Sequence, residues 1–117
     1  MPWSALQAVQ QLAYQHELFC ELYVVTQLAP FEHQPPLPEI MLSSLRQTHH
    51  LLTVEEGSFT LGWGAEMLAR AKEALGPALI SVGRVAAQDT PIPASAVLES
   101  DTLPGVENIV QMALTMV

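Results

Sequence analysis

The stretch HHLLTVEEGSFTLGWGAEMLARAKEAL, residues 49–75, decides the fold of this chain. Its first part is apolar and predicts a buried strand over residues 50–55, and its last part predicts an amphipathic helix over residues 62–75. Two glycines, Gly62 and Gly64, stand one residue apart at the junction. Nucleotide-binding units begin with a strand, a glycine turn and a helix, so this turn is either a phosphate cradle or a packing device of the same shape.

The residues around the two glycines favour packing. A dinucleotide-binding turn carries a third glycine three residues after the second, and Met67 stands there instead. Glu66 lies in the first helical turn, where its charge suits the helix dipole and repels a bound phosphate. Glu55 and Glu56 at the strand end add to that repulsion. We therefore predict that Gly62, Gly64 and Glu66 form a structural turn.

Helix and strand patterns alternate along the rest of the chain. Periodicity and capping residues predict helices from a Ser4 cap to about residue 16, over residues 38–48 and over residues 105–117, and strands over residues 17–28 and 78–86. The first two helices are expected to bury apolar residues: Leu6, Val9, Leu12, Ala13, Ile40, Leu42 and Leu45. This alternation indicates a three-layer α/β/α fold with a mostly parallel sheet, in a single domain over residues 1–117.

The composition excludes several classes of function. Four basic and twelve acidic residues give a net charge of −8, so the chain cannot build the basic patch that a nucleic-acid binder needs. No apolar run approaches the roughly 20 residues of a membrane span, and the N-terminus lacks the pattern of a secretory signal. The single cysteine, Cys20, suits a reducing cytoplasm and is expected to be a small buried hydrophobe.

Other residues that could carry chemistry have simpler interpretations. The adjacent His49 and His50 would point to opposite faces of a strand and cannot readily share a metal ion. Trp63, between the two glycines, is expected to be a packing wedge rather than a ligand platform. Three acidic residues near the C-terminus are expected to form a solvated surface cluster: Glu99, Asp101 and Glu107. We predict no catalytic, cofactor-binding or metal-binding residue.

Four segments carry a resemblance to a known family. They are TVE at residues 53–55, GWGAE at residues 62–66, RVAAQDTPIP at residues 84–93 and LPGVENI at residues 103–109. In this order they resemble the transketolase C-terminal-like domain in the beta subunit of thiamine-diphosphate-dependent 2-oxo acid dehydrogenases of the pyruvate and branched-chain types. Upstream, the segment VVTQLAPFE at residues 24–32 corresponds to a family segment that contains an arginine and an aspartate. Gln27 and Glu32 stand at those two positions here.

The resemblance implies a domain that is not catalytic by itself. The family's catalytic histidine and its sites for thiamine diphosphate and magnesium lie in other domains or subunits, so the cofactor belongs to the parent enzyme. The chain is then a C-terminal domain or split subunit that supports assembly of the first component. The acidic cluster is the surface that would meet the basic subunit-binding domain of the acyltransferase. The alternative is a free-standing protein–protein interaction module that keeps the fold without enzyme activity.

The resemblance also implies an incomplete sheet. The family's domain begins with two strands that precede its first helix, and this chain starts almost directly at that helix. The absent central strand would lie between residues 18–27 and residues 50–55. Unpaired strand edges are costly when buried and adhesive when exposed. We therefore predict a homo-oligomer or a complex with the thiamine-binding domains rather than a monomer.

Overall fold

The computed structural model describes residues 2–25, 37–89 and 104–117, and in these residues helices flank a two-stranded parallel sheet. In chain order the elements are α1 (Pro2–His16), α2 (Glu39–Thr48), β1 (His50–Ser58), α3 (Trp63–Leu75), a 3₁₀ turn (Gly76–Ala78), β2 (Ser81–Ala87) and α4 (Val106–Met116). No helix of these ranges is long and apolar enough to cross a membrane.

The two strands pair in parallel with one irregularity. The register runs from His50 opposite Ser81 to Val54 opposite Val85, and it resumes with Ser58 opposite Ala87. Residues 55–57 of β1 therefore face a single residue of β2, which is a bulge. Bulges turn side chains in directions that a regular strand does not allow. Here the bulge lies immediately before the glycine turn.

Helices cover both faces of the sheet. On one face α2 and α3 enclose a core made of Leu37, Met41, Leu42, Leu45, Met67, Ala71, Leu75 and Leu79. On the other face α1 and α4 pack with β2 around Ala8, Leu12, Val85, Ile109, Val110 and Ala113. Leu51 of β1 packs against the first core, and Leu52 and Val54 pack against the second. This alternation confirms the predicted α/β/α layering.

The predictions for α1 need correction. The helix already includes Pro2, so Ser4 lies inside it and cannot be the cap. Its buried face consists of Ala5, Ala8 and Leu12, while Leu6 is 39% exposed. Packing of α1 against α4 explains the shift, because small side chains let two helices approach closely. A similar error affects α2, where Ile40 is 71% exposed and Met41 is buried instead.

The strand predicted over residues 17–28 is wrong in the part that the structure describes. Residues 17–25 belong to no strand. The Leu18 N–H donates to the Leu12 carbonyl at the end of α1, and Phe19 is 80% exposed. The physical reason is pairing: within the described ranges β1 hydrogen-bonds to β2 alone, and no strand lies beside these residues to form a ladder.

The other elements follow the predictions closely. Pro38 precedes α2, and Gly62 is the N-cap of α3. Gly76, with a φ of 57°, ends α3 as expected, but the 3₁₀ turn that follows delays β2 until Ser81. Gly105 caps α4, whose buried side includes Ile109, Val110 and Ala113. Most of the proline-rich connection and the irregular TPIPASAVLES segment lie outside the described residues.

Candidate functional site

The turn between β1 and α3 is the site that the sequence singles out, and here the backbone of α3 comes very close to β1. A Cβ atom added to Gly64 would lie 2.5 Å from Oγ1 of Thr53. One added to Gly62 would overlap the Ser58 carbonyl oxygen and the Glu55 carboxylate. Real Cβ atoms do not approach other atoms so closely, so both positions need glycine for steric reasons. The structural role of Gly62 and Gly64 stays a prediction, and these short distances are its basis.

The Glu55 side chain caps the N-terminus of α3. Its Oε1 atom accepts a hydrogen bond from the backbone N–H of Gly64 at 3.0 Å. The first N–H groups of a helix have no partner within the helix, and the helix dipole favours a negative charge there. A phosphate bound by this turn would need the same place. The protein's own carboxylate therefore fills the position that a phosphate cradle would leave open.

The capping role of Glu55 could not be read from the sequence. We expected Glu55 to repel a phosphate, which is consistent with its position, but not to bond the helix itself. The bulge at residues 55–57 changes the course of β1 just where the Glu55 side chain reaches α3. The sequence signal that could have suggested this is the Glu-Glu-Gly run, because glycine in a strand often marks a bulge.

Glu66 serves a different part of the turn. Its Oε1 atom is 2.9 Å from Nε of Arg70, one helical turn further along α3. Both side chains are partly exposed, so the pair adds only a few tenths of a kcal/mol to stability. Glu66 thus lies on the outer side of α3 and adds negative charge near its N-terminus. It does not bond the glycines.

The loop at residues 58–62 is held by the end of β2. Asp89 accepts hydrogen bonds from both the N–H and the hydroxyl of Thr60. Arg84 donates to the Phe59 carbonyl oxygen at 2.8 Å, and its guanidinium lies 3.8 Å from the centroid of the Phe59 ring. The hydrogen bonds from Thr60, first from its side chain, lower the pKa of Asp89. Arg84 and Asp89, which belong to the segment RVAAQDTPIP, therefore hold this loop in place.

The tip of the same loop is strained. Leu61 has a φ of 58° and is 97% exposed. The left-handed region costs a leucine roughly 1–2 kcal/mol. Such a conformation persists only when its surroundings impose it. Here the hydrogen bonds of Phe59 with Arg84 and of Thr60 with Asp89 impose the conformation.

Trp63 and the two neighbouring histidines have structural positions. Trp63 packs against the core between α2 and α3, as expected of a packing wedge. His49 ends α2 in the left-handed conformation, and its Nδ1 atom lies 2.8 Å from the Ala78 carbonyl oxygen. His49 is thus a helix cap, not a strand residue. Among the described residues no three His, Cys, Asp or Glu side chains are grouped as metal ligands.

The remaining sequence predictions concern the acidic cluster and the cysteine. Glu107 lies exposed in the first turn of α4 and accepts a hydrogen bond from Gln111. Glu99 and Asp101 lie outside the described residues, so the acidic cluster stays a prediction. Cys20 is exposed rather than buried, because residues 17–25 form no strand. Partial desolvation raises the pKa of the Cys20 thiol.

Comparison with known proteins gives matches over most of the chain. Residues 3–109 match the family described as "Transketolase, C-terminal domain". Similar curated proteins are named "Pyruvate dehydrogenase E1 component subunit beta, mitochondrial". The one from Homo sapiens is 34% identical over 95 residues, which is 78% of this chain and 24% of that protein. The one from Drosophila melanogaster is 40% identical over 76 residues, covering 63% of this chain and 21% of that protein.

A plant protein of the same name, from Pisum sativum, is 39% identical over 72 residues, covering 61% of this chain and 20% of that protein. The chain thus spans about a quarter or less of the length of these relatives. The matches confirm the resemblance drawn from the four motifs. They overturn the expectation of a cytoplasmic protein, because the names of these relatives place them in mitochondria.

Proposed function

The chain belongs to the family of transketolase C-terminal domains, and from this premise we propose that it is a non-catalytic domain or split subunit of a thiamine-diphosphate-dependent 2-oxo acid dehydrogenase. It would correspond to part of the beta subunit of the first component. Its role would be to support subunit assembly and docking, while other domains carry out the chemistry. The 117 residues would act as one domain.

The observation that carries this proposal is the bond between Glu55 and Gly64. The β1–α3 turn has the shape from which nucleotide-binding units build a phosphate site, and a diphosphate would need free N–H groups there. Because the Glu55 carboxylate holds the Gly64 N–H at 3.0 Å, the turn does not fit a diphosphate. Thiamine diphosphate and magnesium would then belong to the parent enzyme rather than to this chain.

The docking part of the proposal rests on charge. The chain has a net charge of −8, and Glu107 is exposed at the start of α4. An acidic surface formed by Glu99, Asp101 and Glu107 would attract a basic partner, such as the subunit-binding domain of the acyltransferase. Charges at the rim of an interface mainly raise the association rate and make it depend on salt.

One feature favours a second candidate function. Residues 19–25 expose several large apolar side chains, among them Phe19, Val24 and Val25. A free-standing interaction module would also present such a surface. That module would keep the fold and bind a protein unrelated to any thiamine enzyme.

Two measurements separate these candidates. In the first, thiamine diphosphate with magnesium is titrated calorimetrically into the purified chain. We expect no heat of binding, and saturable binding in the micromolar range would contradict a non-catalytic role.

In the second measurement, the chain is mixed with a pyruvate dehydrogenase E1 beta subunit that lacks the matching segment. Co-elution on size exclusion supports the assembly role, with an unrelated acidic domain as control. Separate elution of the chain and the shortened beta subunit would favour the interaction module.

A further inference from the structure

The outer face of α1 carries no charge. The residues of this helix, PWSALQAVQQLAYQH, include no aspartate, glutamate, lysine or arginine, although the chain has a net charge of −8. A helix with one face on the core normally places charged residues on its other face. Here the other face exposes two aromatic side chains, Trp3 at 78% and Tyr14 at 88%. Such a face is typical of a protein interface rather than of a solvated surface.

The exposed residues of α1 form a single stripe along the helix. They are Trp3, Gln7, Gln10 and Tyr14, which we call the α1 seam. At about 3.6 residues per turn, the seam lies opposite Ala8 and Leu12, which pack in the core with α4. The steps along the seam alternate between four and three residues. Two helices that pack side by side along a coiled-coil seam show this alternation at their contact positions.

The α1 seam matches a reversed copy of itself. Its steps of four, three and four residues are the same when read from either end. In an antiparallel pair with a two-fold axis between positions 8 and 9, Trp3 faces Tyr14 of the second copy, and Gln7 faces Gln10. A two-fold interface between identical subunits requires a surface that is complementary to itself. The sequence of the seam therefore specifies a second copy of the chain as its partner.

The side chains of each pair suit one another. Trp3 and Tyr14 form an aromatic pair, and tryptophan and tyrosine contribute most of the binding energy at many interfaces. The amides of Gln7 and Gln10 each have donors and an acceptor, so these two side chains can bond reciprocally across the seam. Leu6, which is 39% exposed beside the seam, adds apolar area to the contact.

Charge and size set the strength of the contact. Two copies with a net charge of −8 each repel one another, but the seam brings none of these charges into the contact. Salt screens the remaining repulsion beyond about 8 Å at physiological ionic strength. The seam is roughly 17 Å long, which is short for an interface of about 800 Å² per partner. We therefore expect a weak dimer that becomes tighter as salt is added.

We propose that the chain forms a two-fold dimer in which the α1 seams of two copies pack antiparallel. The contact uses neither the glycine turn nor the sheet. The inference goes beyond the proposed function, because the seam contains none of the residues on which that function rests.

Sedimentation equilibrium of the whole chain is the first test. We expect a reversible equilibrium of monomer and dimer with a dissociation constant on the order of 100 μM. This constant should fall as NaCl is added, because the copies repel and the seam is uncharged. A chain that stays monomeric up to about 1 mM would overturn the proposal. So would a dimer that salt dissociates.

Variants of the two aromatic residues locate the contact. Trp3→Ser and Tyr14→Ser should each raise the dissociation constant at least about tenfold, because each change removes a side chain from two aromatic pairs. Both side chains are exposed, so the melting temperature of the monomer should change little. Ile40→Ser is the matched control, because Ile40 is 71% exposed on α2, away from the seam. Equal dimerisation of the parent chain and Trp3→Ser would overturn the proposal.

Two charge variants test the antiparallel pairing. Gln7→Glu combined with Gln10→Lys places opposite charges across an antiparallel seam, so the dimer should persist or become tighter. Gln7→Glu combined with Gln10→Glu places like charges there and should raise the dissociation constant at least about tenfold. In a parallel pair position 7 would face position 7, and the first variant would also be repelled. Loss of the dimer in the first variant would therefore overturn the proposed pairing.

Hydrogen exchange separates the seam from association through the sheet. The amides of Leu52 and Val54 should exchange equally fast in the monomer and in the dimer, because the seam lies on α1. Protection of these amides in the dimer would place the contact at the sheet edge and overturn the proposal. A dimer with the expected behaviour that elutes apart from the shortened beta subunit would support the seam and contradict the assembly function.

Discussion

The glycine turn at residues 62–66 and residues 19–25, which we call the edge segment, differ in how well contacts within the described chain hold them. At the turn, Glu55 bonds the first turn of α3, and Asp89 bonds Thr60. In the edge segment, Phe19 and Val24 are exposed and join no ladder. For both regions the local sequence predicted regular structure, namely a turn that leads into a helix and a strand over residues 17–28. The comparison shows that side chains of the chain itself bond the turn, whereas residues 19–25 form no strand and leave large apolar side chains exposed.

The difference also separates two kinds of contribution to function. A turn that is closed by its own side chains has little capacity left to bind a ligand, and it acts by fixing the position of α3 on the sheet. An apolar segment beside an open strand keeps its binding capacity. We therefore expect the glycine turn to contribute to the stability of the domain and not to the binding of a ligand.

The largest expected effect comes from Gly64→Val. The new Cβ would lie 2.5 Å from Oγ1 of buried Thr53, so α3 must shift away from β1. We expect a loss of about 1–3 kcal/mol in the free energy of unfolding, measured by thermal or denaturant melts. Gly105→Ser is the matched control, because among the described residues a Cβ there meets Asn108 alone, at an ordinary 3.8 Å. An unchanged melting midpoint for Gly64→Val would show that the turn accommodates a larger side chain at this position.

Glu55→Ala tests the cap. Removal of the carboxylate leaves the Gly64 N–H without its partner and takes a negative charge from the start of α3. Loss of a capping side chain costs about 0.5–2 kcal/mol. Glu55→Gln keeps an acceptor and should recover part of the loss. Equal stability of Glu55→Ala and the parent chain would mean that water caps the helix equally well.

Leu61→Gly has the smallest expected effect, and its sign is opposite. Glycine adopts a φ of 58° without strain, and Leu61 is so exposed that little packing is lost. We expect a gain of about 0.5–1 kcal/mol, reduced by the greater freedom of glycine in the unfolded chain. Ile80→Gly, at an exposed residue that is not in the left-handed region, should give no gain. A destabilised Leu61→Gly would show that Leu61 packs against something.

The sequence predicted a structural feature correctly where the residues that form the feature lie close together in the chain. Gly62, Gly76 and Gly105 mark helix ends, and the structure places caps at each of them. The apolar face of α4 was also predicted, because its periodicity is regular. For α1 the predicted apolar face was wrong in part, because Leu6 is exposed and Ala5 and Ala8 are buried. Small residues rather than large ones face α4, and only the tertiary contact decides between them.

The predictions failed where the partner lies far away or outside the described chain. Residues 17–25 have the composition of a buried strand, but strand formation needs a neighbour that composition cannot reveal. The bond between Glu55 and Gly64 depends on a bulge that sets the direction of a side chain. The bonds of Asp89 to Thr60 join residues 29 positions apart. Such contacts follow from the assembled sheet and not from local pattern.

Hydrogen exchange on the isolated chain tests the central claim most directly. The claim is that Glu55 bonds the glycine turn, whereas the edge of β1 opposite β2 has no partner strand among the described residues. The amides of Leu51 and Thr53 face β2 by register, and the Gly64 amide is held by Glu55. We predict that these three exchange slowly, while the amides of Leu52 and Val54 exchange almost as fast as in an unfolded peptide. Equal protection of the two sets, in a chain that sediments as a monomer, would contradict the account, because the edge would then be closed by the chain itself.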